Sequence, residues 1–175
     1  MFKDSLITID NLSNQEIEDI LDLGQDIQRD LRAFQNLASG YLMASLFFEP
    51  STRTRGSFES AMKRMGGQTI TTADVKSSSI EKGESLADTV RVWSGYTDLI
   101  VMRHPWEGAA KLASEYAHVP VINAGDGGHE HPTQTLCDLY TLKAEHGTLD
   151  GLRVALCGDL KNGRTIHSLT YALLR

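Results

Sequence analysis

Five consecutive residues with hydroxyl or guanidinium side chains, residues 51–55, follow an apolar run that ends at Glu49-Pro50. The run predicts a buried strand over residues 41–48, and the spacing after it predicts a helix over 51–65. The first N–H groups of a helix have no intrahelical partner, and here three hydroxyls and two guanidinium groups accompany them. This combination favours a tetrahedral anion such as phosphate. The alternative is a Ser/Thr helix cap with two exposed arginines, and without a glycine-rich loop this is no Walker A or GxGxxG nucleotide site.

Two further arginines follow other predicted strands. Arg103 comes directly after the apolar residues 99–102, so it would place a cation at the carboxyl end of that strand, unless it is a surface arginine beside the turn-forming Pro105. Arg164 begins a predicted helix after the loop 158–163, where it could bind a carboxylate, although a capped turn fits equally well. Both arginines are therefore candidate ligands for anionic groups.

Residues 125–134 combine glycines and histidines with a proline that favours the first turn of a helix. His131 lies next to the start of that helix and can donate a hydrogen bond to a carbonyl oxygen. Gln134 follows one turn later on the same side, and its carbonyl group can accept from an amide NH2. His129 and His131 lack a third ligand at a suitable spacing, so no metal site is expected here.

The apolar periodicity predicts an α/β fold. A capping box at Ser13 begins an amphipathic helix expected over residues 14–35. Strands and helices then alternate, with strands over residues 41–48, 68–72, 99–102 and 119–123 and helices over residues 51–65, 84–93, 107–117 and 132–146. This order is typical of a mainly parallel sheet flanked by helices, in which ligands gather at the carboxyl ends of the strands. The polar clusters described above fall at those ends.

The sequence also suggests a domain boundary. Residues 148–151 have the composition of a linker, and they are followed by a predicted strand over 153–157 and a predicted helix over 164–175. One strand and one helix cannot bury a core by themselves. We therefore expect residues 1–147 to form one complete domain and residues 148–175 to be the truncated beginning of a second.

Composition excludes several classes of function. The 17 Lys and Arg against 23 Asp and Glu give a formal net charge of -6, so no global basic field attracts nucleic acid or an anionic membrane. No signal peptide or membrane span is expected, because no apolar run approaches the roughly 20 residues that a span needs. Cys137 and Cys157 are too few for a disulfide framework, which favours the reducing cytoplasm.

Together these segments resemble the aspartate carbamoyltransferase family along essentially the whole chain. Residues 47–55 with 57–59 resemble the carbamoyltransferase signature, and the sequence from His131 to Gln134 resembles its partner motif. Both motifs occur also in ornithine carbamoyltransferases. Three segments favour the aspartate enzyme: Lys82-Gly83-Glu84, Met102-Arg103-His104-Pro105, and residues 163–169.

The resemblance implies transfer of a carbamoyl group from carbamoyl phosphate to L-aspartate in pyrimidine biosynthesis, without a cofactor or a metal. It also implies the roles of individual residues. The phosphate would be held by Ser51, Thr52, Arg53 and Thr54. The carbamoyl oxygen would receive hydrogen bonds from Thr54, Arg103 and His131. Gln134 would hold the carbamoyl nitrogen and Arg164 a carboxylate of aspartate.

The family also brings residues of a neighbouring subunit into each site. The resemblance therefore implies a homotrimer in which Lys82 and a loop serine, Ser78 or Ser79, come from that neighbour. Read alone, the serine-rich residues 74–83 would be a solvated linker. Family chains are longer, and their second domain supplies aspartate ligands that residues 1–175 do not contain. A non-catalytic module that binds carbamoyl phosphate and an ornithine-type enzyme are the alternatives, and regulatory or fusion partners are left open.

Overall fold

The computed structural model describes residues 5–72 and 83–175. Four parallel strands, β1 (Leu42–Phe47), β2 (Gln68–Thr72), β3 (Leu99–His104) and β4 (Val121–Asp126), form one sheet in the order β2-β1-β3-β4. The α-helices of the described residues are α1 (Asn14–Arg29), α2 (Thr52–Arg64), α3 (Leu86–Ser94), α4 (Ala109–Tyr116), α5 (Pro132–His146) and α6 (Arg164–Leu173). The expected α/β fold with a parallel sheet is confirmed.

Apolar layers cover both faces of the sheet. Successive residues of a strand point to opposite faces, so Ala44 packs with Val90 of α3 and with the alanines of α4, whereas Met43 packs with Met62 of α2 on the other face. Leu6 covers the outer edge of β4, where its N–H donates to the carbonyl of Val121 at 2.9 Å. This burial on both faces explains why residues 99–102 of β3, and all of β1 except Ser45, are apolar without alternation.

The first helix starts as expected but is shorter. The capping box at Ser13 is confirmed, whereas the helix expected to reach residue 35 ends at Arg29. Asp30 leaves the helical conformation, with φ -145° and ψ 83°. Its carboxylate accepts from the N–H groups of Arg32 and Ala33. A short 3-10 helix, Leu31–Phe34, follows. An aspartate side chain that competes for backbone N–H groups thus ends α1 although the apolar period continues.

The strand expected over residues 153–157 is absent. Those residues join no ladder with another described strand, and Val154 of this stretch is exposed. A strand needs a neighbour to satisfy its backbone groups, so an apolar pattern alone does not make one. The physical reason is therefore a missing sheet partner among the described residues.

The last helix, α6, packs against α1 and α5. Leu169 and Leu173 of α6 lie against a buried cluster formed by Ile9, Leu21 and Leu139. The proposed boundary at residues 147 and 148 stays a prediction. None of the helices described is long and apolar enough to cross a membrane.

The cluster that joins α1, α5 and α6 gives a stability prediction. Leu21 is 1% exposed in that cluster, so Leu21→Ala should lower the free energy of unfolding by about 2–5 kcal/mol through lost burial and a residual cavity. Chemical denaturation measures the change. Leu23→Ala is the matched control on the same helix, where the side chain is 46% exposed, and we expect a change within about 0.5 kcal/mol. Equal effects of the two variants would contradict this packing.

Candidate active site

The carboxyl ends of three strands meet in parallel register. Phe47 at the end of β1 pairs with Arg103, and His104 at the end of β3 pairs with Asp126 at the end of β4. The strand β3 is longer than expected, so Arg103 lies within it rather than after it. The N–H of Phe48 donates to the carbonyl of Arg103 at 2.9 Å and holds the chain after β1 beside this edge. Three polar clusters distant in sequence are thereby brought together.

The start of α2 presents an open set of donors. Ser51 is the N-cap residue, with φ -156° and ψ 102°, and its side chain makes no capping hydrogen bond. Its hydroxyl oxygen instead accepts from Nη1 of Arg103 at 3.2 Å. Thr52 is the first residue of the helix and is exposed. The N–H groups of the first helical turn therefore remain available to an anion, which the positive end of the helix dipole also favours.

A cleft of about 660 Å³ separates α2 from α5. Four of the predicted site residues line it, namely Arg53 and Thr54 from α2 and His131 and Gln134 from the start of α5. Ser57, Phe58, Ala61, Thr133 and Cys137 complete the lining. The fold thus places the side chains of Arg53 and His131 around one concave space.

His131 is buried and neutral at the N-cap of α5. Burial lowers the pKa of its imidazole to about 4, and the positive charges of Arg164 and Arg103 act in the same direction. Nδ1 lies 3.3 Å from the hydroxyl of Thr133. The neutral ring has one N–H donor and one acceptor nitrogen, and the hydrogen-bond partners determine which nitrogen carries the proton. His131 is therefore suited to donate a hydrogen bond and is a poor base.

Glu49 is a central residue of the site that sequence reasoning missed. Its carboxylate accepts from Nη2 of Arg103 and, at 3.3 and 3.4 Å, from the guanidinium group of Arg164. Burial opposes ionisation of Glu49, but these two arginines outweigh it and lower the pKa of the carboxyl. One signal for this role was present in the sequence. Glu49 follows the predicted strand at the same sheet edge where Arg103 and Arg164 were expected, and neighbouring cations need a counter-charge.

Gln134 contributes an acceptor to the cleft. Its Nε2 donates to a carboxylate oxygen of Asp138 at 2.9 Å, which fixes the orientation of the amide. Within residues 5–72 and 83–175, no donor reaches the carbonyl oxygen of Gln134. An amide NH2 in the cleft could therefore bind there.

The remaining predicted residues fall in two groups. Arg164 is the first residue of α6, shares Glu49 with Arg103, and packs with His131 against Gly125; its role as an aspartate ligand stays a prediction. Lys82 and the serines at 78 and 79 lie outside the described residues. The part of the chain that the structure describes contains no group of three or more His, Cys, Asp or Glu side chains that could hold a metal ion.

Comparison with known proteins identifies the family. The model of the aspartate/ornithine carbamoyltransferase family, carbamoyl-P binding domain, matches residues 4–144. The chain belongs to this family. Among related carbamoyltransferase sequences, the aspartate carbamoyltransferase catalytic subunit of Methanocaldococcus jannaschii is 58% identical over 170 residues, which are 96% of this chain and 56% of the relative. That of Thermoplasma acidophilum is 53% identical over 173 residues, 98% of this chain and 57% of the relative.

Solved carbamoyltransferase structures share the fold. Aspartate transcarbamoylase from Trypanosoma cruzi in complex with carbamoyl phosphate and aspartate superposes with a TM-score of 0.92 at 44% identity, over 98% of this chain and 57% of that one. The catalytic subunit of the M. jannaschii enzyme gives a TM-score of 0.90 at 57% identity, over 97% and 56% of the two chains. The chain thus spans about half the length of the carbamoyltransferases that it matches.

The environment of His131 predicts its titration. With a pKa of about 4, its ring should stay neutral on acidification from about pH 8 to about pH 5.5, so its side-chain NMR signals should not move over that interval. Because an unfolded histidine titrates near 6.5, protonation favours the unfolded state, and this residue's contribution to stability should fall as the pH drops from 6.5 toward 4. The His131→Gln variant lacks this imidazole, so the signals missing from its spectrum are those of His131. A midpoint at or above 6.5 would contradict this environment.

Proposed function

We propose that this chain is the carbamoyl-phosphate-binding part of an aspartate carbamoyltransferase, which acts in pyrimidine biosynthesis. The reaction transfers the carbamoyl group of carbamoyl phosphate to L-aspartate and releases N-carbamoyl-L-aspartate and phosphate. The observation that carries the proposal is the convergence of Arg53, Thr54, His131 and Gln134 on one cleft beside the open start of α2. The similarity to T. cruzi aspartate transcarbamoylase, whose structure holds carbamoyl phosphate and aspartate, supports it.

The phosphate group binds at the start of α2. Ser51, Thr52 and Thr54 supply hydroxyl and backbone N–H donors, and Arg53 supplies a charge-assisted contact from the wall of the cleft. In this family role, Lys82 and a loop serine, Ser78 or Ser79, complete the phosphate site from a neighbouring subunit of a homotrimer. The protein itself carries a net charge of -6, so the dianion is attracted by these local donors and not by a global field.

The carbamoyl group lies between α2 and α5. Thr54 and His131, which line the cleft, direct donors at its oxygen, and the carbonyl of Gln134 accepts from its nitrogen. The family role adds a donor from Arg103, which Ser51 and Glu49 hold at the same edge of the sheet. When the amine attacks, negative charge grows on that oxygen, and donors already in place stabilise the tetrahedral transition state. Removal of one such donor costs roughly 3 kcal/mol in acyl-transfer sites. The low pKa of His131 fits this role, because a ring that resists protonation is a poor general base but keeps one N–H that can donate.

The chemical step needs no covalent enzyme intermediate. The nitrogen of aspartate forms a bond to the carbamoyl carbon, the bond from that carbon to the phosphate oxygen breaks, and the departing phosphate takes a proton from the amine. A separate general base is therefore unnecessary. The protein contributes position and preorganised electrostatics.

Arg164 binds a carboxylate of aspartate. In this structure Arg164 shares Glu49 with Arg103, so an incoming carboxylate competes with Glu49 for the same guanidinium group. We place the enzyme in the cytoplasm, where its two cysteines stay reduced.

Binding of carbamoyl phosphate tests the phosphate role of Arg53. Arg53→Ala should weaken binding by about 2 kcal/mol or more, roughly 30-fold in Kd, because a charge-assisted contact is lost. Isothermal titration calorimetry measures the constant. Arg64→Ala is the control, since it removes the same charge from the last turn of the same helix. Equal constants for both variants would remove Arg53 from the site.

Turnover tests the role of aspartate as the acceptor of the carbamoyl group. We expect residues 1–175 alone to bind carbamoyl phosphate but to form carbamoyl aspartate slower by several powers of ten than a longer chain with a second domain. Among the described residues, Arg164 is the candidate that would position aspartate, and loss of positioning alone costs rates of this size. Mass spectrometry of the product measures the rate. Fast product formation by the short chain, or ornithine preferred by the longer one, would contradict the proposal.

A further inference from the structure

A buried carboxylate that belongs to none of the binding contacts ties the site together. Asp126 ends β4 and is 1% exposed. Its Oδ2 accepts from the N–H of Gly108 at 2.9 Å, and its Oδ1 accepts from Nδ2 of Asn123 at 3.0 Å and from the N–H of Glu130 at 3.2 Å. Nδ1 of His129 lies 3.3 Å from Oδ2. One side chain thus joins β4, the turn that follows it and the start of α4.

The turn over residues 126–130 has little room to move. The N–H of Gly127 donates to the carbonyl of His104 at 2.9 Å. Gly127 has a positive φ of 56°, and a Cβ there would lie 2.9 Å from both the N of Glu107 and the carbonyl oxygen of Pro105. The turn therefore packs directly on the segment after β3, and Asp126 holds it there by hydrogen bonds on both sides.

This turn determines where two functional side chains lie. His131 follows it immediately, and the carbonyl of Gly127 accepts from Nη1 of Arg164 at 2.8 Å. At Gly125, where φ is 113°, a Cβ would lie 3.2 Å from Cζ of Arg164 and 3.4 Å from Cδ2 of His131. The imidazole and the guanidinium group therefore pack against the same backbone, and a shift of the turn moves both.

We propose that Asp126 is a positioning residue that fixes His131 and Arg164 relative to the anion site at the start of α2. The inference rests on the proposed function for its choice of ligands. Asp126 holds the turn by accepting from Gly108 and Glu130, whereas Thr52 and Arg53 lie on α2 and make none of these hydrogen bonds. Loss of Asp126 should therefore weaken interactions with the carbamoyl group and spare those with phosphate.

Asp126→Asn is the test, because it keeps the shape but replaces one acceptor oxygen with an NH2 group that must face backbone or side-chain donors. We measure binding of inorganic phosphate and of carbamoyl phosphate, together with the His131 ring signals by NMR. The expected result is a phosphate Kd within about twofold of the parent, a carbamoyl phosphate Kd raised at least about tenfold, and displaced His131 signals. Val121→Ala, a core substitution at the other end of β4, is the control for lost stability.

The outcomes separate this inference from the proposed function. If the parent binds carbamoyl phosphate no better than phosphate, the proposed carbamoyl site is wrong, and the His131 signals alone decide the role of Asp126. Unchanged signals and constants in Asp126→Asn overturn the inference, as does an equal loss for both ligands or the same pattern in Val121→Ala. If Asp126→Asn does not fold, Gly127→Ala displaces the same turn at a less buried position and is judged by the same criteria.

Discussion

The parallel register of β1, β3 and β4 is the constraint on which the site depends. Because Phe47 pairs with Arg103 and His104 with Asp126, three strands end side by side, and the segments that follow them must share one edge. Parallel strands need long crossover connections, and here those connections are helices that cover both faces. The same burial that stabilises the sheet therefore gathers the functional groups at its carboxyl edge.

The carboxylate of Glu49 pairs with two arginines at this edge. Arg103 and Arg164 lie on different elements, and without Glu49 their mutual repulsion and burial would disfavour the arrangement. Glu49 holds both guanidinium groups near His131, and their charges add to burial in keeping that ring neutral. The charge network thus serves stability and chemistry together, since it holds cations for an anionic substrate and a neutral donor for the carbamoyl oxygen.

The last helix belongs to this arrangement as well. The N–H of His131 donates to the hydroxyl of Ser168 on α6 at 3.0 Å, and that hydroxyl lies 3.4 Å from a carboxylate oxygen of Glu130. The same oxygen accepts from the N–H of Ile9. Burial raises the pKa of Glu130 because it disfavours the charged carboxylate, and the hydrogen bond from Ile9 acts in the opposite direction. Consequently α6 is anchored to the start of α5 by polar contacts as well as by its apolar face.

The sequence by itself determined the order of elements, the parallel α/β class, and the motifs around Ser51, Arg103 and His131. Each rests on local chemistry: apolar period, capping residues and donor groups at fixed spacing. Only tertiary structure decided the end of α1 at Arg29 and the absence of a strand over 153–157. Apolar periodicity does not report a competing side-chain hydrogen bond or the lack of a neighbouring strand. The roles of Glu49 and Asp126 likewise emerged only in three dimensions, since a carboxylate becomes a bridge through neighbours distant in sequence.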